Sequence, residues 1–564
     1  MQPDTDEGGL HWRWAVLRSL DGYRRAWLRR DLTAGVLIVA IAIPLSMGMA
    51  EVAGMPPIAG LYSCVLPLLA YAVLGSSRQL VIALDASTAA MLAAAVAPLA
   101  GTDPARYAAL AGMAALLVGA ILLGAGLLRM GFVADFLSEP VLLGYQAGLA
   151  VVVLASQLPK MAGVTTTADS VLGRFADVLG RLGDGSGATV AVAATSLATV
   201  VLLRAWRPSF PGALVAVAGA TAAVALLDPA GVAVVGEIPK GFPPFSIPDV
   251  GLADIRALLG PAATIALLAA ADTLVSSRAF AARGGYPVSA NSDLLGLGAA
   301  NAVSAVSGGI TVSASAARTA VAESVGSRSQ VAGLTAAVLM VAFLTLLTPL
   351  VRNVPQAALA AVVTAAVLRL IEVANLRRLW RIRRTEFLIA AAAFLGVALV
   401  GVLQGVVVAM ALSLVEFLRR TSKPGDAVLG RVPGRAGYHD TRRNPDATTE
   451  PGVLVYRFDA PLFYANAERF RSRVRRLVRR RRASWVVIDA AGMPDADATA
   501  VRMLGELEAE LARRGVIVVF ADCVGPVKDT FERAGFLGQL GEGRIFDTIE
   551  HAVAARPPVG TEER

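Results

Sequence analysis

LTAGVLIVAIAIPLSMGMA, residues 32–50, holds no charged residue and is followed at once by Glu51. A helix needs about 20 mostly apolar residues to cross a bilayer, so this stretch reads as one crossing. Working outward, comparable stretches recur at 57–74, 86–100, 108–128, 140–158, 188–203, 211–227, 261–282 and 294–306. A short helix follows Ala314, and then come 331–350, 357–370, 387–400 and 402–418. The chain therefore reads as an α-helical membrane protein of about fourteen segments. Composition agrees: of 564 residues 55% are hydrophobic and 17% charged, with a mean hydropathy of +0.61. A soluble chain carries roughly a quarter charged residues.

Arginines orient the segments. With the N-terminus in the cytoplasm, even-numbered segments end near Arg78, Arg129, Arg204 with Arg207, Arg283, Arg328, the run 377–384, and Arg419 with Arg420. The opposite turns 51–56 and 307–312 have no Lys or Arg. Positive charge marks cytoplasmic loops, so both termini are expected in the cytoplasm of a multi-pass cell-membrane protein. Lys160, Arg174, Arg181 and Lys240 fall in outer segments and weaken the pattern locally. The net charge of +9 is thus assigned to membrane orientation and not to nucleic acid. The polar, acidic first residues do not read as a cleavable signal peptide. Cys64 and Cys523 make no disulfide framework, and His11, His439 and His551 lie outside the apolar region. No metal or cofactor is expected, and no catalytic constellation is present, so an enzyme is not the reading.

A repeat is detectable. Pro44 stands as far from Asp272 as Ala86-Ser87-Thr88-Ala89 does from Ala314-Ser315-Ala316-Ala317. Two halves of seven segments each must insert upside down relative to one another, giving 7+7 inverted repeats. After Arg420 the texture changes. Residues 423–450 are polar and Pro/Gly-rich, and then β-type runs (453–458, 485–488, 516–520) alternate with helical stretches (466–480, 498–513). That alternation predicts a compact α/β domain. The expected organisation is an N-terminal cytoplasmic segment 1–30, a transport domain 31–420, a linker and entry to the following domain 421–450, an α/β domain 451–556 and a tail 557–564.

Several stretches carry a family resemblance. They are IPLSMGMAEVAGMPPIAGLYS (43–63), GSSRQL (75–80), GFVADFLSEPVLLGYQAG (131–148), VGEIPKGFPPFSIP (235–248), ANSDLLGLGAANAVSAVSGG (290–309), SASAARTAVA (313–322) and RFDAPLFYANAERF (457–470). In this order and spacing the chain resembles the sulfate permease (SulP) anion transporters, relatives of prestin, with a C-terminal STAS domain. The resemblance implies the uracil-permease type of fold, with core and gate domains and a homodimer in the bilayer. It also implies an anion bound between the N-termini of half-helices in the third and tenth segments, each preceded by a short strand. The implied activity is secondary transport of a small anion of the sulfate, bicarbonate or dicarboxylate class, coupled to H⁺ or Na⁺. An uncoupled channel, or a transport-inactive sensor acting through STAS, is the alternative. The chain departs from the family pattern at Leu45 (often Gln), Met49 (often aromatic), Ala317 (commonly Ser) and Leu84-Asp85 (often Gly-Pro).

The matched positions make chemical sense. Helix N-termini carry unpaired N–H groups and a partial positive charge. Ala86, Ser87 and Thr88, with Ser313, Ala314 and Ser315, form the matching turns, whose small side chains let an anion reach the backbone; close helix packing is the plainer reading of the same residues. Arg318 adds a charge at a depth where charges are costly, unless it snorkels to the cytoplasmic surface. Asp272, in an apolar run, takes up a proton or binds Na⁺, or else pairs with Arg318 or Arg278. Asp85 is a second coupling carboxylate or a helix cap. Asn291 and Asp293 are expected as N-caps of the ninth segment. In the soluble part, Thr499 stands where free-standing STAS proteins resemble one another in bearing a phosphorylatable residue. The arginine run 475–482 reads as a solvated face or a contact for anionic lipid.

Overall fold

The computed structural model describes residues 23–557, apart from 133–137, 167, 169, 207–209, 238 and 242–244. Residues 1–22 with His11, Arg207, and 558–564 of the tail lie outside the described residues. The chain divides into two compact units between Ser413 and Leu414.

The first unit is helical. Its segments are α1 (Leu28–Val52), α2 (Pro57–Leu74, built of two short helices), β1 (Ile82–Ala83), α3 (Ala86–Ala100), α4 (Pro104–Leu127), α5 (Glu139–Ala162), α6 (Gly187–Trp206) and α7 (Gly212–Leu227). There follow α8 (Leu252–Gly284), α9 (Ala290–Val306), β2 (Ser313–Ala314), α10 (Ala316–Ser324), α11 (Val331–Val351), α12 (Gln356–Val367), α13 (Arg384–Leu395) and α14 (Val402–Ser422), within which the boundary between the units falls. Among the described residues nine helices are long and apolar enough to cross a membrane. The strand-plus-short-helix pairs β1–α3 and β2–α10 occupy equivalent places in the two halves. Two surface helices, Val171–Gly180 and Val373–Ile382, have no counterpart in the sequence reading.

Lipid gives helices no hydrophobic reason to associate, so close packing of small residues takes over. α4 and α9 cross at Gly119 and Gly298, where an added Cβ would stand 2.7 Å from the backbone N of Ala302 or of Leu123. Gly60 lets α2 press on α1; a Cβ there would meet the Ser46 carbonyl oxygen at 2.0 Å. Polar anchors tie the loops. Asp31 is fully buried and accepts from the Arg328 backbone N–H and from the Ser327 and Ser329 hydroxyls. Contrary to the expectation from sequence, Asp293 does not cap its own helix; the Ser289 hydroxyl does. Asp293 instead accepts from Tyr71 Oη, from the N–H and hydroxyl of Ser76, and from Ser277 Oγ, stitching α2 and α8 to α9. Asn291 likewise accepts from the Gly131 N–H. Lys160, an exception to the arginine pattern, is neutralised by Glu51 at 2.5 Å.

The second unit is an α/β domain around a six-stranded sheet of order β4-β3-β5-β6-β7-β8. Its elements are β3 (Asp426–Arg431), β4 (Tyr438–Asp440), β5 (Val453–Phe458), α15 (Ala467–Arg481), β6 (Trp485–Asp489), α16 (Ala498–Ala512), β7 (Ile517–Ala521), α17 (Gly525–Arg533), α18 (Phe536–Leu540), β8 (Ile545–Phe546) and α19 (Ile549–Ala554). β5 through β8 run parallel, and β3 pairs antiparallel with both β4 and β5. The stretch 421–450, read from sequence as linker and domain entry, supplies two strands of the sheet. Only β4 (YHD) is a polar edge strand; β3 (DAVLGR) lies between β4 and β5 with four of its six residues buried, a short apolar run set in polar surroundings.

Candidate functional site

β1 and β2 pair antiparallel through two residues, Ile82 opposite Ala314 and Ala83 opposite Ser313. Each strand feeds a helix start, Asp85 leading into α3 and Ser315 into α10. Further bonds lock the pair: Ser315 N–H donates to the Val81 carbonyl at 2.9 Å, and Val81 N–H to Thr319 Oγ1 at 3.0 Å. Ala314 N–H donates to Thr273 Oγ1 of α8 at 3.3 Å. The sequence reading placed Ser313 and Ala314 in a helical turn; they are strand, and the helix begins at Ala316.

The two helix starts differ. At α3 the Asp85 carboxylate accepts from the Ser87 N–H at 3.3 Å and from the Ser87 hydroxyl at 3.1 Å. The Thr88 hydroxyl turns back to the Asp85 carbonyl at 3.2 Å. Both α3 hydroxyls are thus already engaged, and Ala86 is buried beside them. At α10 the Ser315 side chain makes no capping bond, so the first turn keeps its donors, and Ala316 and Ala317 are exposed. The buried Ser313 hydroxyl has no partner among the described residues.

Arg318 lies in the first turn of α10 and is 1% exposed, so it does not snorkel. Its Nη2 donates to Ser46 Oγ at 2.9 Å, with Cys64 alongside, while Nε and Nη1 have no partner among the described residues. Asp85 is within its electrostatic reach. A buried guanidinium with open donors is costly unless something negative or very polar fills the gap. Asp272, half-buried on α8, lies against the Ser87 hydroxyl and within reach of Asp85. Tyr145 of α5 joins them, its hydroxyl directed to the Ser87 carbonyl at 3.5 Å. The alternative pairing of Asp272 with Arg318 is not seen among the described residues; the carboxylate within reach of Arg318 is that of Asp85. Met49 is buried and Leu45 half-buried.

Sequence reasoning missed Ser46, Cys64, Tyr145, Thr273 and Thr319, which position the charged groups. Thr273 was adjacent to a singled-out residue; the others carry no local signal. In the α/β domain Thr499 is exposed in the first turn of α16, where Asp497 caps the Ala500 N–H at 2.7 Å. The arginine run is only partly a solvated face: Arg475 pairs with Glu510 at 2.9 Å, while Arg476, Arg479 and Arg480 are exposed. Burial pushes the Cys523 thiol up to about 11, leaving it a poor nucleophile at neutral pH.

The chain is similar to known proteins along nearly its whole length. Residues 28–393 match the pattern described as "Sulfate permease family", and 444–552 match "STAS domain". The chain is 43% identical over 540 residues to a probable sulfate transporter of Mycobacterium tuberculosis (strain ATCC 25618 / H37Rv), covering 94% of this chain and 96% of the relative. Sulfate transporter 3.1 of Arabidopsis thaliana is 28% identical over 576 residues, covering 97% and 87%. The solved structure of SLC26A9 superposes with a TM-score of 0.88 at 22% identity, covering 96% of this chain and 93% of that one. The transmembrane domain of the cyanobacterial bicarbonate transporter BicA superposes with a TM-score of 0.61 at 21% identity, covering 69% and 98%. These relatives are transporters, not enzymes, and the shared fold includes the α/β STAS domain.

Proposed function

The chain belongs to the sulfate permease family of multi-pass anion transporters, and from that premise we propose that it carries sulfate by proton-coupled secondary transport. The observation that carries this reading is the Arg318 guanidinium, buried with two open donors beside an uncapped helix start. A tetrahedral dianion offers oxygens to that guanidinium, to the free N–H groups of Ala316 and Ala317, and to the Ser313 and Ser315 hydroxyls. The resemblance to probable and named sulfate transporters favours sulfate over bicarbonate or a dicarboxylate.

Asp272 is the coupling group. One hydroxyl, that of Ser87, stands between the Asp272 and Asp85 carboxylates, and a hydroxyl has a single proton to give. A dianion arriving beside two carboxylates is repelled unless protons come with it. Asp85 already takes the Ser87 N–H and hydroxyl at the start of α3, so an incoming anion must compete there with a tethered one. Protonation relieves both conflicts and links uptake to the proton gradient. The linkage has a definite sign: if anion binding draws protons onto this pair, sulfate binds more tightly as pH falls.

The protein is proposed to work as a homodimer in the cell membrane with both termini cytoplasmic. Reporter fusions at Asp6 and Glu562, both outside the described residues, test the orientation; an external signal at either overturns it. The decisive experiment is uptake of labelled sulfate into proteoliposomes under an inward proton gradient. The parent should accumulate sulfate, and Asp272→Asn should bind it but not accumulate it. Accumulation driven by Na⁺ alone would replace the proton with sodium, and gradient-independent flux would mark a channel. Undiminished accumulation by Asp272→Asn would remove the residue from the mechanism.

A further inference from the structure

The surface helix Val373–Ile382 joins two apolar segments, α12 and α13, and so runs where the chain turns back at one face of the membrane. Its sequence VANLRRLWRI puts Leu376, Leu379 and Trp380 on adjoining positions one turn apart, with arginines between them. Leu379 is buried in a small cluster with Leu143 of α5 and Ala390 of α13, and Leu376 and Phe387 pack on its edge. That cluster fixes the helix against the bundle. It leaves an open cavity of about 460 Å³ lined by Val373, Leu376, Arg377, Trp380, Arg381 and Phe387.

The lining has two chemistries. Val373, Leu376, Trp380 and Phe387 form an apolar wall, with the Trp380 and Phe387 rings edge-to-face at 4.9 Å. Arg377 and Arg381 are one turn apart, so both reach the same rim. Neither has an ion-pair partner among the described residues. Arg384 stacks over Trp380 at 5.5 Å and adds a third positive charge beside them. Trp380 and Val373 are each 48% exposed, so the apolar wall is open to a ligand.

We propose that this cavity binds an anionic phospholipid of the adjoining leaflet. A phosphodiester accepts bidentate bonds from two guanidinium forks, which fits a pair spaced one turn apart. The start of an acyl chain lies along the apolar wall, and tryptophan at the headgroup level is where that side chain is favoured. A zwitterionic lipid carries its own ammonium group and gains less from the arginines. A free phosphate or sulfate ion would use the rim but leave the apolar wall exposed, so the lipid is the better match. The arginines lie on the side assigned to the cytoplasm, where a negative leaflet surface attracts them.

Full-length protein in nanodiscs tests this directly. Brominated phosphatidylglycerol or brominated phosphatidylcholine is introduced, and the Trp380 signal is obtained as the difference between parent and Trp380→Phe. The glycerol lipid should quench Trp380 at a mole fraction roughly tenfold lower than the choline lipid. In Arg377→Gln/Arg381→Gln that preference should vanish, and Arg377→Lys/Arg381→Lys should retain part of it. Sulfate uptake by the lysine variant should remain, because neither arginine is among the residues of the anion site. Equal quenching by the two lipids overturns the proposal, as does preference undiminished in the glutamine variant. Absence of quenching by either lipid means that a protein surface covers the cavity, and that result overturns it too. If the glutamine variant does not fold, the comparison of the two lipids on the parent still decides.

Discussion

The starts of α3 and α10 occupy equivalent places in an inverted repeat, yet one carries a tethered anion and the other a fixed cation. Asp85 takes the Ser87 N–H and hydroxyl at α3, whereas at α10 Arg318 Nε and Nη1 have no partner among the described residues. Both starts follow a strand of the same two-stranded ladder, but their charges are opposite. The difference teaches that helix ends alone do not fix where an anion rests. Each end contributes about half a positive charge, and a nearby full charge of either sign overrides it. The anion should therefore sit closer to α10, with α3 serving as the proton-responsive side.

Four substitutions sharpen or break this contrast. The largest effect is expected from Ala86→Phe. Ala86 is buried at the first position of α3, and a ring there would fill the space on the α3 side. Sulfate binding by the purified protein should be lost, and retention of parental affinity would mean the anion never approaches α3. Next, Arg318→Ala removes charge-assisted bonds worth roughly 1.5–3 kcal/mol, so titration calorimetry should read a Kd weakened by about 10- to 100-fold. Parental affinity in this variant would move the site away from α10. Asp85→Asn keeps the capping geometry, since Asn caps about as well as Asp, and removes the tethered charge. Sulfate should bind roughly tenfold more tightly than to the parent at pH 8, because about one charge repulsion is relieved, and the advantage should shrink as the pH falls. Identical pH profiles for the two proteins would reduce Asp85 to a cap. The smallest change belongs to Ser315→Ala, which removes one hydroxyl that caps nothing. A loss of about 1 kcal/mol, roughly fivefold in Kd, is expected if that hydroxyl meets the anion. No loss would assign the contact to backbone N–H groups alone.

Much of this architecture is legible in the sequence, because apolar length is a strong signal. Residues 86–100 read from sequence as a segment are α3 without adjustment, and the runs 453–458 and 498–513 become β5 and α16 with at most one residue of difference. Local polarity hid other elements. β3 and β4 lie in a stretch rich in Pro and Gly, and Val373–Ile382 looks like a charged loop until its Leu379 is seen buried against α5 and α13. The site was legible only in its charged members. Ser46 and Thr273 hold Arg318 and β2 through single hydroxyls, and a serine or threonine in an apolar helix reads the same whether it bonds its own carbonyl or a residue hundreds of positions away. Asp293 misled for the opposite reason: an acidic residue near a helix start suggests a cap, but its partners lie on two other segments.

The two-residue ladder between β1 and β2 has an evolutionary consequence. The span of the cradle is set by main-chain bonds, which a point substitution leaves in place so long as the side chains stay small. Its charge, by contrast, is set by a handful of side chains at 85, 272 and 318. Preference among anions can therefore drift through those few codons while the distance between the helix starts is inherited unchanged. Departures such as Leu84-Asp85 and Ala317 are the kind of edit such a cradle tolerates, and lineages sharing this backbone can diverge in cargo without passing through an unfolded ancestor.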